Sequence, residues 1–180
     1  MKQMIRKGFA IATGTVIAGA VALGLVACSP VAAAGNESAG AARAAGQVAA
    51  EPRLHPVSGL AVVPLKVVTK RGAHVFQVEV AASPLEQERG LMWRNAMGAD
   101  EGMIFPFSPP RRTAFWMKNT VIGLDIVFIG PDHKVLNIAA KAVPYDETPL
   151  PSAGQAAGVL ELNAGRAAQI GLAPGDTVTW

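Results

Sequence analysis

The stretch RRTAFWMKNTVIGLDIVFIG, Arg111 to Gly130, decides how the rest of the chain reads. Two runs rich in β-branched and aromatic residues flank a short connection ending at Gly123, which is the pattern of strand, turn and strand. With residues 120–123 as the loop of a hairpin, Asn119 opposes Leu124, Lys118 faces Asp125, Met117 faces Ile126, Trp116 faces Val127 and Phe115 faces Phe128. Side chains alternate across a sheet, so one face collects Phe115, Met117, Leu124, Ile126 and Phe128 as core. The other carries Trp116, Lys118, Asp125, Val127 and Ile129, and it admits two readings. In the first, Lys118 and Asp125 are a cross-strand ion pair contributing about 0.2–1 kcal/mol, which satisfies an acid stranded among apolar neighbours. In the second, Trp116, Lys118, Asn119 and Asp125 form a ligand-binding site, with the indole stacking on a small polar ligand and the polar groups orienting it.

Outward from this stretch the domain reads as short strands. LAVVPLKVVT and HVFQVEVA flank the turn Lys70-Arg71-Gly72 and predict a β-hairpin, with Pro64 marking an edge or a break in its first strand. SPLEQERGLMWRNA opens with Ser83, Pro84 and Glu86, which supply an N-cap, a proline at the first helical position and a capping box. It predicts a helix of about three turns. Further strands are expected near Met103–Phe105, Val135–Ala142 and Gly158–Leu162, a second short helix over NAGRAAQIGL, and a final strand in APGDTVTW. Such a chain is α+β and mostly β: an antiparallel sandwich or open barrel of short strands with two short helices.

Five blocks, RGLMWR (Arg89–Arg94), EGMIFPF (Glu101–Phe107), FWMKNT (Phe115–Thr120), LDIVFI (Leu124–Ile129) and VLELNAG (Val159–Gly165), occur in that order. Together they resemble domain-of-unknown-function family 192, an uncharacterised bacterial and archaeal family of small, mostly β domains. The resemblance spans roughly Val63 to Val178. It implies the fold and frequent export, and it supplies no established activity or catalytic residues. Gly123 stands where that family often has proline, a departure confined to the turn.

The N-terminus speaks about address. Lys2, Arg6 and Lys7 are followed by an uncharged apolar run from Gly8 to Ala27 and then by the only cysteine, Cys28, the layout of a secretory signal. A membrane-spanning anchor needs a comparable length, but this run is rich in Gly, Ala and Thr. LVAC, Leu25 to Cys28, resembles the lipobox of bacterial lipoprotein precursors, in which the cysteine is acylated (a palmitate-type modification) and becomes the first mature residue. Stable anchoring takes more than one acyl chain, each contributing roughly 0.8 kcal/mol per buried methylene. Ser29 after the cysteine suggests, by resemblance to lipoprotein sorting, an outer-membrane position facing the periplasm. Residues 1–27 are thus expected to be the signal, 28–56 the lipidated cysteine with an Ala/Gly-rich tether too poor in large apolar residues to offset ordering entropy, and 57–180 a single globular domain.

Charge and cysteine usage exclude several function classes. Of 16 basic residues three lie in the signal, leaving 13 against 13 acids, so the mature protein has no electrostatic footprint for nucleic acid. With Cys28 lipidated there is neither a disulfide nor a thiol nucleophile. No serine sits in a Gly-x-Ser-x-Gly elbow, and His74 and His133 fall at turns expected to face solvent. Two domain histidines and no thiolate make a poor metal-ligand supply, so no metal and no cofactor is expected. Met92, Met97, Met103 and Met117 sit among Leu, Phe and Trp and read as core rather than as copper ligands. Arg89, Arg94, Arg111 and Arg112 read as solvated or paired with Glu86, Glu88 or Asp100. The function expected is a monomeric, lipid-anchored extracytoplasmic accessory or small-ligand-binding domain, with a sugar as one ligand class. The alternatives are a cell-envelope hydrolase using Asp125 or Glu161 as acid or base, or a structural protein-contact module.

Overall fold

A computed structural model describes residues 53–180. The signal segment 1–27, Cys28 and the tether up to residue 52 lie outside the described residues. The four described residues before the expected boundary at 57 already pack against the domain. The Arg53 carbonyl accepts from the Val62 amide at 2.7 Å, the His55 amide donates to the Leu60 carbonyl at 2.8 Å, and Leu54 bridges Ala61.

The strands are β1 (Val62–Thr69), β2 (Gly72–Val80), β3 (Glu101–Arg111), β4 (Ala114–Phe115), β5 (Leu124–Ile129), β6 (Val135–Ala142), β7 (Leu150–Pro151), β8 (Ala156–Asn163) and β9 (Thr177–Thr179), with helices α1 (Pro84–Arg89) and α2 (Arg166–Ile170). Seven strands form one sheet in the order β6-β5-β8-β3-β2-β1-β9, and β4 with β7 forms a separate pair. The sheet curls into a half-barrel, so the expected mostly β, open-barrel architecture with two short helices holds. It is not wholly antiparallel, because β2 and β3 run parallel. A parallel pair needs a crossover connection, and residues 81–100, with α1 inside them, provide it. The β1–β2 hairpin forms as read, with Thr69 opposite Gly72. Pro64 lies on the part of β1 that β9 leaves uncovered, since β9 pairs only with Lys66–Val68.

Helix α1 starts where its sequence dictates. The Ser83 hydroxyl accepts from the Glu86 amide at 3.3 Å, and the Glu86 carboxylate accepts from the Ser83 and Ala82 amides at 2.7 and 2.9 Å. It stops after six residues rather than three turns, at Gly90, whose φ is +46°. A Cβ there would lie 3.3 Å from the Phe105 ring, so conformation and space both call for glycine.

The hairpin expected from Arg111–Gly130 does not form. β4 pairs with β7, while β5 pairs with β6 and β8. Lys118 therefore does not face Asp125. The backbone of 117–120 is claimed by distant segments: the Met117 amide donates to Asp146, Tyr145 donates to Thr120, and Trp93 donates to Asn119. The sheet is buried on both faces. One core gathers Leu65, Phe76, Ile104, Val127, Leu160 and Ile170, and the other gathers Met103, Phe105, Met117, Leu124, Ile126 and Phe128. The second is covered by the crossover around α1 and by the 114–120 segment, and a cavity opens between those two covers.

Candidate ligand-binding site

β8 runs through the middle of the sheet, so alternate side chains enter the two cores. Leu160 and Leu162 enter the first, whereas Val159 and Glu161 point to the face that carries Phe105 and Phe128. Glu161 pairs across the strands with Met103 on one side and Ile126 on the other, which leaves its carboxyl in an apolar wall. Its Oε2 is shut off from solvent without a hydrogen-bond partner, and none of the ion pairs among the described residues includes it. Burial pushes its pKa from 4.5 up to about 8, because removing a carboxyl from water penalises the charged form. At neutral pH it is a carboxylic acid that can donate a hydrogen bond.

Glu161 lines a cavity of about 710 Å³, a size suited to a small organic ligand. Phe105, Phe115, Trp93 and Trp116 supply its aromatic walls, and Lys118, Asn119 and Thr120 border it from the 116–120 turn. Phe115 stands edge-on to Phe105 at 5.0 Å and to Phe128 at 6.1 Å, which fixes the inner wall against the core. The two indoles are 61% and 47% exposed for Trp93 and Trp116 respectively, so both keep ring surface accessible to an incoming molecule. The Lys118 ammonium lies 5.2 Å from the Trp116 ring centroid, a cation–π contact in place of the expected ion pair.

Backbone strain marks the same place. Trp93 and Asn119 have φ values of +58° and +54°, left-handed conformations that are rare for a residue as bulky as tryptophan. The Trp93 backbone amide donates to the Asn119 backbone carbonyl at 2.9 Å, and the Asn119 side-chain Nδ2 donates to the Met92 sulfur at 3.8 Å. Each such residue costs on the order of 1–3 kcal/mol, and here the strained pair ties one cavity wall to the other.

Three of the four residues singled out in the sequence, Trp116, Lys118 and Asn119, thus share one cavity. Asp125 does not join them. It is fully buried, its Oδ1 accepts from the Lys141 and Gly165 amides at 2.8 and 3.0 Å, and its Oδ2 accepts from the Ala167 amide at 2.8 Å. It anchors the start of α2, whose N-cap Gly165 offers no side chain, and its three hydrogen bonds all go to backbone amides of residues outside the cavity lining. Of the arginines singled out in the sequence, Arg89, Arg111 and Arg112 are exposed as read, whereas Arg94 pairs with an acid other than those named. Arg94 grips Glu79 with two bonds of 2.8 and 3.0 Å, and Ser58 donates a short hydrogen bond to the same carboxylate. Arg166 takes Asp100; Arg111 stacks 4.2 Å from the Phe107 ring centroid. His133 is exposed as expected, but His74 is half-buried, with Nε2 enclosed and unpartnered. Trp93 escaped the sequence reading because a longer helix absorbed it. Gly90, a helix-stop signal, is what would have freed it.

A family model, DUF192, described as Uncharacterized ACR, matches residues 66–180. The chain is 57% identical to a protein of unknown function from Novosphingobium aromaticivorans DSM 12444 whose crystal structure aligns with a TM-score of 0.71, covering 73% of this chain and 94% of that one. It is 40% identical to a Sinorhizobium meliloti 1021 protein described as a candidate transcription regulator, with a TM-score of 0.65 and coverage of 67% and 94%. No curated protein matches.

Proposed function

The chain belongs to the uncharacterised DUF192 family, and from that premise we propose that it is a lipid-anchored extracytoplasmic accessory domain that binds a small polar ligand, a sugar for instance, in the cavity between Trp93 and Trp116. One observation carries the binding reading: a buried carboxyl with no hydrogen-bond partner closes the inner end of a cavity whose outer walls are accessible indoles. A buried polar group without a partner costs free energy, and a ligand able to reach it recovers that cost. Aromatic faces give a flat platform for an apolar ring face, and Asn119 and Lys118 add polar contacts at the edge. Hydrolysis would ask Glu161 for a second carboxylate or a nucleophile in reach. Glu88 is the other acid lining the cavity, and it is exposed on α1, so binding is the better-supported reading.

The address rests on the sequence: a basic start, the run from Gly8 to Ala27, and LVAC ending at Cys28. Acyl chains on Cys28 would hold the protein to the envelope, in the outer membrane facing the periplasm, as a monomer. The regulator description of the Sinorhizobium relative does not lead here to nucleic acid, because residues 57–180 hold 11 basic and 11 acidic side chains. A saccharide screen by thermal shift on the full-length protein in detergent tests the ligand reading. A hit whose stabilisation disappears in Trp116→Ala supports it. A panel without any hit, or hits indifferent to Trp116, overturns it. For the address, mass spectrometry should find acylated Cys28 as the first mature residue, and an unmodified Cys28 in the mature protein would refute it.

A further inference from the structure

We infer that the inner end of the cavity is built for a cationic amine, so that the ligand class is an aminated saccharide rather than a neutral one. This rests on the saccharide reading above and goes one step deeper into the same cavity. The argument starts from what surrounds the Glu161 carboxyl. The neighbouring strands present Met103 and Ile126 to it, and the aromatic wall presents Phe105 and Phe115. None of these can donate a hydrogen bond or carry charge. The titratable groups that line the cavity besides Glu161 are Glu88 and Arg89 from α1 and Lys118 from the 116–120 turn. All three are exposed, and the Lys118 ammonium is stationed over Trp116. The protein therefore supplies a buried acid and withholds the counter-cation.

Two properties of that environment favour an ammonium over a hydroxyl. A hydrogen bond to a charged partner contributes roughly 1.5–3 kcal/mol against about 0.5–1.5 for a neutral one, and the difference grows where water is excluded. Aromatic faces also attract cations and do nothing comparable for a hydroxyl. A saccharide amine satisfies both while its ring face remains free to stack on an indole. The proton balance is simple. The amine arrives as an ammonium ion, the Glu161 carboxyl gives its proton to solvent, and the bound state holds a carboxylate paired with an ammonium. Because burial keeps that carboxyl protonated in the free protein up to a pH of about 8, binding at a slightly acid pH, where the sugar amine is itself fully protonated, should release close to one proton.

The test compares a fully deacetylated glucosamine oligosaccharide with its N-acetylated counterpart by calorimetry on the full-length protein in detergent. The deacetylated sugar should bind about tenfold more tightly, the ratio expected from exchanging a neutral for a charge-assisted bond. Glu161→Gln keeps the shape of the side chain but cannot become a carboxylate, and it should remove that preference, so that the two sugars bind alike. Binding heats measured at that slightly acid pH in two buffers of different ionisation enthalpy should report proton release for the wild-type protein, a readout independent of any variant. Equal affinity for both sugars with dependence on Trp116, a preference that survives in Glu161→Gln, or the absence of proton release each overturns the amine assignment alone. Absence of Trp116-dependent binding for either sugar overturns it together with the saccharide reading.

Discussion

Two acids on adjacent strands show how far environment separates residues of one type. Asp125 is ionisable chemistry converted to architecture: three backbone amides converge on it from β6, the loop before α2 and α2 itself. Asp125→Ala strands those donors, and urea unfolding should show a loss of about 3–5 kcal/mol, the scale of a broken buried charged network. Glu161 is the opposite case, a carboxyl that the fold holds in its neutral form. Its folded-state pKa of about 8 lies above the ordinary value of 4.5. Below about pH 4.5 both folded and unfolded chains bind the proton, and this acid leaves stability independent of pH. Between about 4.5 and 8 only the folded chain keeps it, so stability falls as pH rises, by at most about 1.4 kcal/mol per unit. Above about 8 the loss is complete. Glu161→Gln lacks this proton, and its advantage over wild type should therefore widen from about pH 5 to about pH 8 in denaturant melts. A constant difference would show that Glu161 is not held neutral.

At the scale of elements, the sequence revealed faces more faithfully than partners. Alternation assigned Phe115, Met117, Leu124, Ile126 and Phe128 to one core face, and all five pack in the same cluster. It erred on pairing because β4 is only two residues long and 117–120 spends its backbone groups on residues 93, 145 and 146. No local pattern records such long-range partners. It erred on the opposite face because β5 is buried on both sides, so Val127 and Ile129 enter a second core while Trp116 and Lys118 border the cavity. The strongest local signals, the capping box of α1 and the hairpin turn read at Lys70-Arg71-Gly72, came through, the turn itself closing over Lys70-Arg71 with Gly72 already in β2. The corrected pairing is itself testable. Lys118 and Asp125 share no contact, so the losses in Lys118→Ala and Asp125→Ala should add to within about 0.5 kcal/mol in a double-mutant cycle. A coupling well above that would restore the cross-strand pair. Removing the cap by Ser83→Ala should cost about 1 kcal/mol, and because α1 forms one side of the cavity, the same substitution should weaken any Trp116-dependent ligand.

For the molecule as a whole, the informative boundary is the N-terminal edge of the domain. Composition placed it at residue 57, since nothing in Arg53-Leu54-His55-Pro56 has the periodicity of an element. The structure sets four residues more against the sheet, through the Arg53–Val62 and His55–Leu60 backbone bonds. His55 also stands 3.6 Å from the Glu79 carboxylate and 3.4 Å from the Arg94 guanidinium. These contacts matter because Glu79 and Arg94 form a nearly water-free ion pair, side chains 4% and 11% exposed, in which a buried charge depends on its surroundings remaining closed. Residues 57–180 still contain both cores and every strand of the seven-stranded sheet, so this fragment should fold on its own. Residues 53–180 should be the more stable fragment, by about 1–3 kcal/mol, the worth of two backbone hydrogen bonds and partial cover over a buried charge. Urea midpoints of the two fragments, measured side by side with equal m-values, provide the check. Coincident midpoints would place the domain boundary at 57 after all, and a failure of the shorter fragment to fold would show that the sheet needs its N-terminal strap.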